Sequence, residues 1–544
     1  MKKSETRPRR VTTGQCRYSA THAVPSAERS KPATYRKQTK GISVTTFRDQ
    51  ATETLARNTA TPSPSTGRRS STVADHLAPL FAMLFASGAP PVTFRFWDGS
   101  QLGPDRRQSK LQGGQPSQPS QPSQPSQAGQ PGQPSQPEPQ STHPGQPHNH
   151  PNPPTGPGVV TINSIDALKR FLWSPSELGL GRAFVAGEID IDGDVSQVLR
   201  CLRDAGPDTV RLGLRSLGLV LKVITQLGGL GLQPPRPTEE VHLSRWRNSA
   251  RHSLRRDAAA VTHHYDVGND FYRLVLGPSM TYSCARFDHA GTTLEDAQAS
   301  KHDLVCKKLG LHDRPVARLL DVGCGWGSMA IHAAATYGVS VVGITLSTPQ
   351  AELARQRVDE AGLGDKIEIR LQDYRKLGGE TFDAVSSIGM FEHVGEKRMV
   401  EYFETLRGLL TPEGRLLNHA ISARGGSKLG NRSFVNRYVF PDGELLDVGD
   451  VTKAMQRAGF EVRDVESLRE HYATTLRQWV SNLETHWPQA IASVGEARAR
   501  VWRLYMAGSV NGFEDGGLNL HQVLGVVPSS GGRSGMPRTR AGWS

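Results

Sequence analysis

Cysteine is scarce: Cys16, Cys201, Cys284, Cys306 and Cys324 are scattered through 544 residues. An odd, unclustered set supports neither a disulfide framework nor a paired-cysteine zinc site, and it suits a reducing, cytoplasmic interior. Long apolar runs are also missing. The best candidate, residues 77–89, falls short of the ~20 residues that a spanning helix needs, which excludes a polytopic membrane protein. Acidic residues are rare at the start, where residues 1–70 hold 15 Lys/Arg against 4 Asp/Glu and so carry +11 of the net +13. That segment is rich in Ser, Thr and Pro and cannot bury enough apolar surface to offset the entropy of ordering. It reads as a disordered basic tail (1–73), attractive to anionic surfaces and partly transit-peptide-like in composition. The rest of the chain is nearly neutral.

Residues 115–157 contain 14 of the 36 prolines and no Leu, Ile, Val or Phe. This QPSQPS-type stretch predicts an extended, polyproline-like insertion, set at about 107–157. His143, His148 and His150 within it do not make a convincing metal site, and no metal is expected. Residues 92–99 alternate like a strand entering a turn, residues 159–163 do the same, and residues 164–172 then read as a helix. The two strands are expected to pair as a hairpin across the insertion. Asp190, Asp192 and Asp194 tempt a calcium-loop reading, but Val195 and Cys201 stand where the loop needs Gly and Glu, so a strand and polar turn are expected. Glycines at 213, 218, 228, 229 and 231 should break any long helix in residues 212–232.

After a basic connection, residues 245–256, the pattern changes. Apolar strands at 317–322, 340–346, 367–371, 382–388 and 414–421 alternate with helices at 328–337, 348–361 and 397–410. Such βα alternation with buried strands predicts a doubly wound, mostly parallel sheet, with a ligand at the carboxyl ends of its strands. The first of these strands ends in Leu319-Leu-Asp-Val-Gly-Cys-Gly-Trp-Gly327. Gly323, Gly325 and Gly327 allow positive φ and a close approach of backbone to a ligand, and the next helix offers its unpaired N–H groups. The spacing differs from the dinucleotide fingerprint GxGxxG.

Strand, Asp321 and GxGxG together resemble the first motif of S-adenosylmethionine-dependent methyltransferases. Members of that superfamily mostly end the second strand in an acid, whereas this strand runs into Thr345-Leu-Ser-Thr-Pro-Gln350. That departure, with His263-His-Tyr-Asp-Val-Gly-Asn-Asp-Phe-Tyr272, Met280-Thr-Tyr-Ser-Cys284, Gln372-Asp-Tyr374, Gly389-Met-Phe-Glu-His-Val-Gly395 and Tyr438-Val-Phe-Pro-Asp-Gly443, resembles the cyclopropane-fatty-acyl-phospholipid synthases. These are relatives of the mycolic acid cyclopropane synthases.

The resemblance implies an α/β catalytic domain of the class I methyltransferase (Rossmann-like) type at 258–527 and a smaller α+β N-terminal domain at 74–232. Between them lies a connector at 233–257, and a flexible tail follows at 528–544. It implies methylene transfer from S-adenosylmethionine to a cis double bond of an unsaturated phospholipid acyl chain. Tyr282 and Ser283 would approach the methionine end of the donor, with Asp321 and the glycine turn; Thr345 and Gln350 the ribose; Tyr374 the adenine. A bound bicarbonate would take the proton released on ring closure, held by Cys284, Glu392, His419, Ile421 and Tyr472. Glu can accept the bicarbonate O–H, while His, Tyr and backbone N–H groups can donate to its oxygens.

Many relatives carry a Cys near the position of Ser509, so a thiol nucleophile there is not expected. Peripheral contact with the inner face of the membrane and a homodimer are further implications. Two other functions compete: formation of methyl- or methylene-branched chains, and a catalytically silent lipid-binding relative. Nucleic acid is not an expected partner, since no Asn-Pro-Pro-Tyr-type motif occurs.

Overall fold

The computed structural model describes residues 71–104, 157–206, 214–241 and 267–543, apart from residues 86, 230, 315–316, 426, 429, 431–432 and 442. Residues 1–70 of the basic tail, residues 107–156 of the Gln/Pro/Ser-rich insertion and the basic connection at 245–256 lie outside the described residues, as do His263 to Asp266 of the HHYDVGNDFY motif; the expected tail ends sooner than 73, because Thr72 caps a helix that starts at buried Val73.

Near the N-terminus, β1 (Thr93–Phe96), β2 (Gln101–Leu102), β3 (Gly158–Ile162) and β4 (Ile189–Gly193) form a sheet in the order β2-β1-β3-β4. Alternate residues of β3 are buried, as expected of a sheet covered on one face. The helices Val73–Leu84, Ile165–Trp173, Glu177–Val185 and Val195–Ala205 belong to the same region, and Leu77, Phe81, Phe94, Phe96, Val160 and Ile162 meet in its core. The expected hairpin across the insertion is not formed. β1 and β3 run parallel, Phe94 opposite Val160, and the antiparallel partner of β1 is β2. A parallel pair needs a long crossover, which a long insertion can supply and a tight turn cannot. Asp194 caps Val195–Ala205 by accepting from the Gln197 N–H, and Asp190 pairs with Arg500 at 3.0 Å, so neither serves a calcium loop. Gly218 does not interrupt the helix Leu214–Gln226, which ends ahead of Gly228 and Gly229. A single interior Gly costs only ~1 kcal/mol and is tolerated there.

The second sheet has seven strands: β5 (Arg318–Val322), β6 (Ser340–Thr345), β7 (Ile367–Leu371), β8 (Phe382–Ile388), β9 (Leu410–Ala423), β12 (Glu461–Ser467) and β13 (Leu518–Val526). A small pair, β10 (Ser427–Lys428) and β11 (Glu444–Leu445), lies apart from it. The order is β12-β13-β9-β8-β5-β6-β7, parallel from β9 to β7 and antiparallel at β13 and β12. β5 and β6 are buried along nearly their whole length, because helices cover both faces. The order reverses between β5 and β8, and a doubly wound sheet binds its ligand at such a switch point.

Residues 528–543 are not a loose tail. Trp543 is 8% exposed in the core beside Leu319 and Leu524, with Lys308 Nζ 5.9 Å from its ring. Arg540 pairs with buried Asp464, and Arg415 Nη2 donates to the Gly535 carbonyl at 2.7 Å. The buried indole and the ionic pair anchor a segment whose Gly, Ser and Arg composition reads as flexible.

Candidate active site

Asp321 ends β5, and the turn after it uses positive φ at Gly323 (78°) and Gly325 (55°). The Gly323 and Cys324 N–H groups both donate to the Ile344 carbonyl at 2.9 Å, which folds the turn over the end of β6. A Cβ on Gly323 would lie 3.1 Å from Met390, so this position needs Gly for conformation and for space. The turn forms one wall of a cavity also lined by Tyr282, Ser283, Lys301, Asp321, Gly325, Thr345, Gln350, Tyr374, Gly389 and Met390. Every expected donor-binding residue therefore reaches this cavity except Gly327. Gly327 does not line it; it caps the helix Ser328–Tyr337, and a Cβ there would lie 3.4 Å from Ala354.

At the end of β6, the Thr345 hydroxyl donates to the Gln350 amide oxygen at 2.9 Å, and both residues are buried. Ser347 caps the helix Thr348–Glu360 by accepting from the Gln350 N–H, which brings Gln350 back over the strand end. Ser386 donates to Asp321 Oδ1 at 2.7 Å, while Asp321 Oδ2 is buried without a hydrogen-bond partner. Burial, opposed by Ser386 and Lys301, pushes the Asp321 carboxyl up to about 6. A glycine cradle and an orphaned buried carboxylate oxygen suit a ligand that brings its own cationic donor.

The five residues expected to hold an anion do not line this cavity, whose wall includes Gly389, Met390 and His393 on either side of Glu392. Backbone links connect four of them, and His419 stands two residues before Ile421 on β9. Glu392 Oε1 accepts from the Ile421 N–H at 2.7 Å, and Ile421 lies opposite Leu520 in the β9–β13 register. The Leu520 carbonyl accepts from the Leu468 N–H, and the Leu468 carbonyl accepts from the Tyr472 N–H and the Cys284 thiol. One expectation changes here: the Ile421 N–H is already committed to Glu392, so it orients the carboxylate and is not an anion donor. Glu392 Oε2 is buried without a partner, and burial pushes the carboxyl up to about 7.

His419 is 1% exposed on β9, opposite Gln522 of β13, with 3.2 Å from its Nδ1 to the Gln522 amide nitrogen. Burial holds the ring well below its usual pKa, so it is neutral. With Gln522 donating to Nδ1 the proton lies on Nε2, which has no hydrogen-bond partner. Cys284 is fully buried and its thiol donates to the Ala285 carbonyl at 3.2 Å; burial pushes its pKa up, so it is a thiol and not a thiolate. The Tyr472 ring lies 4.6 Å from that of Phe513, tilted by 40°, beside an aromatic group of Tyr272, Tyr282, Trp479 and Trp502.

Two residues of this region escape sequence reasoning. Tyr505 lies beside Tyr282 and Ser509, and burial pushes its hydroxyl up to about 12. Lys301 is fully buried on the helix Leu294–Leu309. Its signal was present: positions 294, 297, 301, 304, 305 and 308 form the helix's inward stripe, and a Lys at a stripe position is anomalous.

The mycolic acid cyclopropane synthetase family model matches residues 252–523. A probable fatty acid methyltransferase of Mycobacterium tuberculosis is 44% identical over 374 residues, 67% of this chain and 86% of its own. The chain belongs to the mycolic acid cyclopropane synthetase family. The cyclopropane-fatty-acyl-phospholipid synthase of Escherichia coli, another relative, is 33% identical over 68% of this chain and 88% of its own. The solved structure of a cyclopropane synthase from Mycobacterium tuberculosis covers 50% of this chain and 98% of that one at 34% identity, with a TM-score of 0.47. Family membership makes this chain an S-adenosylmethionine-dependent methyltransferase, and the doubly wound sheet is the class I fold of such enzymes.

Proposed function

We propose that the chain transfers a methylene group to the cis double bond of unsaturated phospholipid acyl chains, closing a cyclopropane ring. The observation that carries this reading is Glu392, a buried carboxyl held by Ile421 through one oxygen with the other unpartnered. S-adenosylmethionine supplies an electrophilic methyl group, and Tyr282, Ser283, Asp321, Thr345, Gln350 and Tyr374 would hold it in the cavity. An alkene is a weak nucleophile, and its methylation leaves a cation that water would capture. The aromatic wall of Tyr272, Tyr282, Trp479 and Trp502 keeps that region apolar and dry. Ring closure then needs a base for one methyl proton, and this base must stand inside the dry region.

Glu392 Oε2 and His419 Nε2 suit a bicarbonate at that place, one accepting its O–H and the other donating to an oxygen; there it would serve as the proton acceptor. Cys284 and Tyr472 would complete the surroundings of that anion. The protonated Cys284 is not a nucleophile, and Ser509 supplies no thiol, so nothing in this reading depends on covalent catalysis. Access from a bilayer fits the surface. No helix among the described residues is long and apolar enough to cross a membrane, yet Trp97, Trp173, Leu180, Leu221 and Leu232 are all exposed on the N-terminal part of the chain. We read them as a peripheral contact with the cytoplasmic leaflet.

A second reading, a methyl- or methylene-branched product, is favoured by the relative named as a fatty acid methyltransferase. Incubation with S-adenosylmethionine and liposomes of a dioleoyl phospholipid, followed by mass spectrometry before and after ozonolysis, separates the two. A product one methylene heavier that resists ozonolysis supports the ring. An ozone-cleaved product of the same mass supports methylene branching, and no S-adenosylhomocysteine release at all would make the chain a silent lipid binder.

A further inference from the structure

Lys301 is the least expected side chain at the cavity. It is 0% exposed, and among the described residues its single hydrogen-bond acceptor is the neutral Ser283 hydroxyl, at 2.9 Å. An ammonium has three N–H donors, so two remain without a protein acceptor. Asp321, across the same cavity, keeps one carboxylate oxygen unpartnered. The two opposite charges influence each other, but no ion pair within 4.0 Å joins them among the described residues. Each is therefore under-satisfied on its own side of one cavity. A buried pair serving stability alone would close on itself, because desolvation is offset only by direct contact and full hydrogen bonding.

Two under-satisfied groups of opposite charge lining one cavity suit a zwitterion instead. We propose that Lys301 is a binding residue for the methionine end of the methyl donor: its ammonium, with the Ser283 hydroxyl, receives the α-carboxylate, while Asp321 Oδ2 receives the α-ammonium. This rests on the donor reading given above and adds the group that reads the donor's amino-acid end. Gln298 supports the arrangement by donating to the Ser283 carbonyl at 2.9 Å, which fixes the Ser283 backbone against the same helix. Burial in the unliganded cavity holds Lys301 down to about 7, and a bound carboxylate would restore its charged form.

Two probes test this. S-adenosylhomocysteine carries the amino acid group, and 5′-methylthioadenosine lacks both of its charges while keeping the nucleoside. Calorimetric affinities are compared for the unaltered protein, Lys301→Met, and Lys301→Gln, which retains a donor for Ser283 without the charge. Loss of a charge-assisted contact should weaken S-adenosylhomocysteine by about 10- to 100-fold in both variants. Binding of 5′-methylthioadenosine should stay within about twofold, which also shows that the variants are folded. Unchanged S-adenosylhomocysteine affinity, or parallel loss of both probes in both variants, overturns the proposal. If the unaltered protein binds neither probe, it is the donor reading that fails.

Discussion

Glu392 and Cys284 are both buried beside the aromatic pocket, and burial raises the pKa of each, with opposite consequences. Raising Glu392 to about 7 makes the acceptor that would hold the bicarbonate O–H change charge near physiological pH, whereas raising a thiol removes its reactive form. Glu392→Gln should lower kcat by about 100-fold or more, the usual worth of the general base that it would hold in place, while S-adenosylhomocysteine affinity stays within about twofold by calorimetry. The protonated carboxyl cannot accept, so kcat/KM should fall as pH drops through about 7; a flat profile from pH 6 to 8 would remove Glu392 from the reaction. Cys284→Ser, in contrast, should keep its rate within about tenfold, because a protonated thiol contributes packing and a weak hydrogen bond rather than chemistry. Abolished turnover in a folded Cys284→Ser protein would show that the thiol reacts.

Among the elements, the helix Leu294–Leu309 does the least obvious work. Thr293 caps it by accepting from the Asp296 N–H, and the helix carries Gln298 and Lys301 to the cavity and Lys308 to Asp464. Thr293→Ala should cost about 1 kcal/mol, read as a lower denaturant midpoint at unchanged slope. Five of the seven strands of the second sheet were legible because continuous apolar runs bounded by turns have few alternative readings; β12 and β13, the antiparallel strands, were not read from the sequence. The extension of β9 to Leu410–Ala423, beyond the expected 414–421, was less so. Its added length comes from pairing with β8 on one side and β13 on the other, and pairing is not a local property. The same reason explains why β1 and β3 were recognised as strands but not as a parallel pair.

One junction of the whole molecule is Glu240, in addition to the Arg500–Asp190 and Arg477–Asp194 pairs. Arg182, on the helix Glu177–Val185, grips its carboxylate through two nitrogens at 2.7 and 2.8 Å, and Arg437 of the helix Phe434–Tyr438 contacts the same group. The Phe434 N–H donates to Glu177 at 2.7 Å, and the Phe434 ring packs on Gly181. The N-terminal region thus clamps the segment that leads to Phe440, whose ring lies 6.3 Å from that of His393 beside Glu392. Burial opposes its ionisation, but Arg182 and Arg437 hold Glu240 below the usual carboxylate range. A lowered folded pKa contributes stability above the unfolded value near 4.5, and this is lost as pH falls through the folded pKa. Glu240→Ala strands two buried guanidinium groups and should cost about 3–5 kcal/mol in urea unfolding, with loss of activity before global unfolding. An Ala variant as stable and active as the unaltered protein would show that this junction does not couple the two regions.

What the sequence determined by itself is local: the Asp321–Gly327 turn, the Thr345–Gln350 strand end and the alternation of strands and helices are contiguous in the chain, where backbone conformation and hydrophobic period dictate them. Only the tertiary structure decided that Glu392 meets the Ile421 N–H and that His419 meets Gln522, 103 residues away. It also decided that Lys301 turns inward to Ser283 and that Trp543 closes on the core. Those outcomes depend on which surfaces pack together, and burial then sets the protonation of Glu392, His419 and Cys284, because a charge taken from water is stable only where the fold supplies a partner.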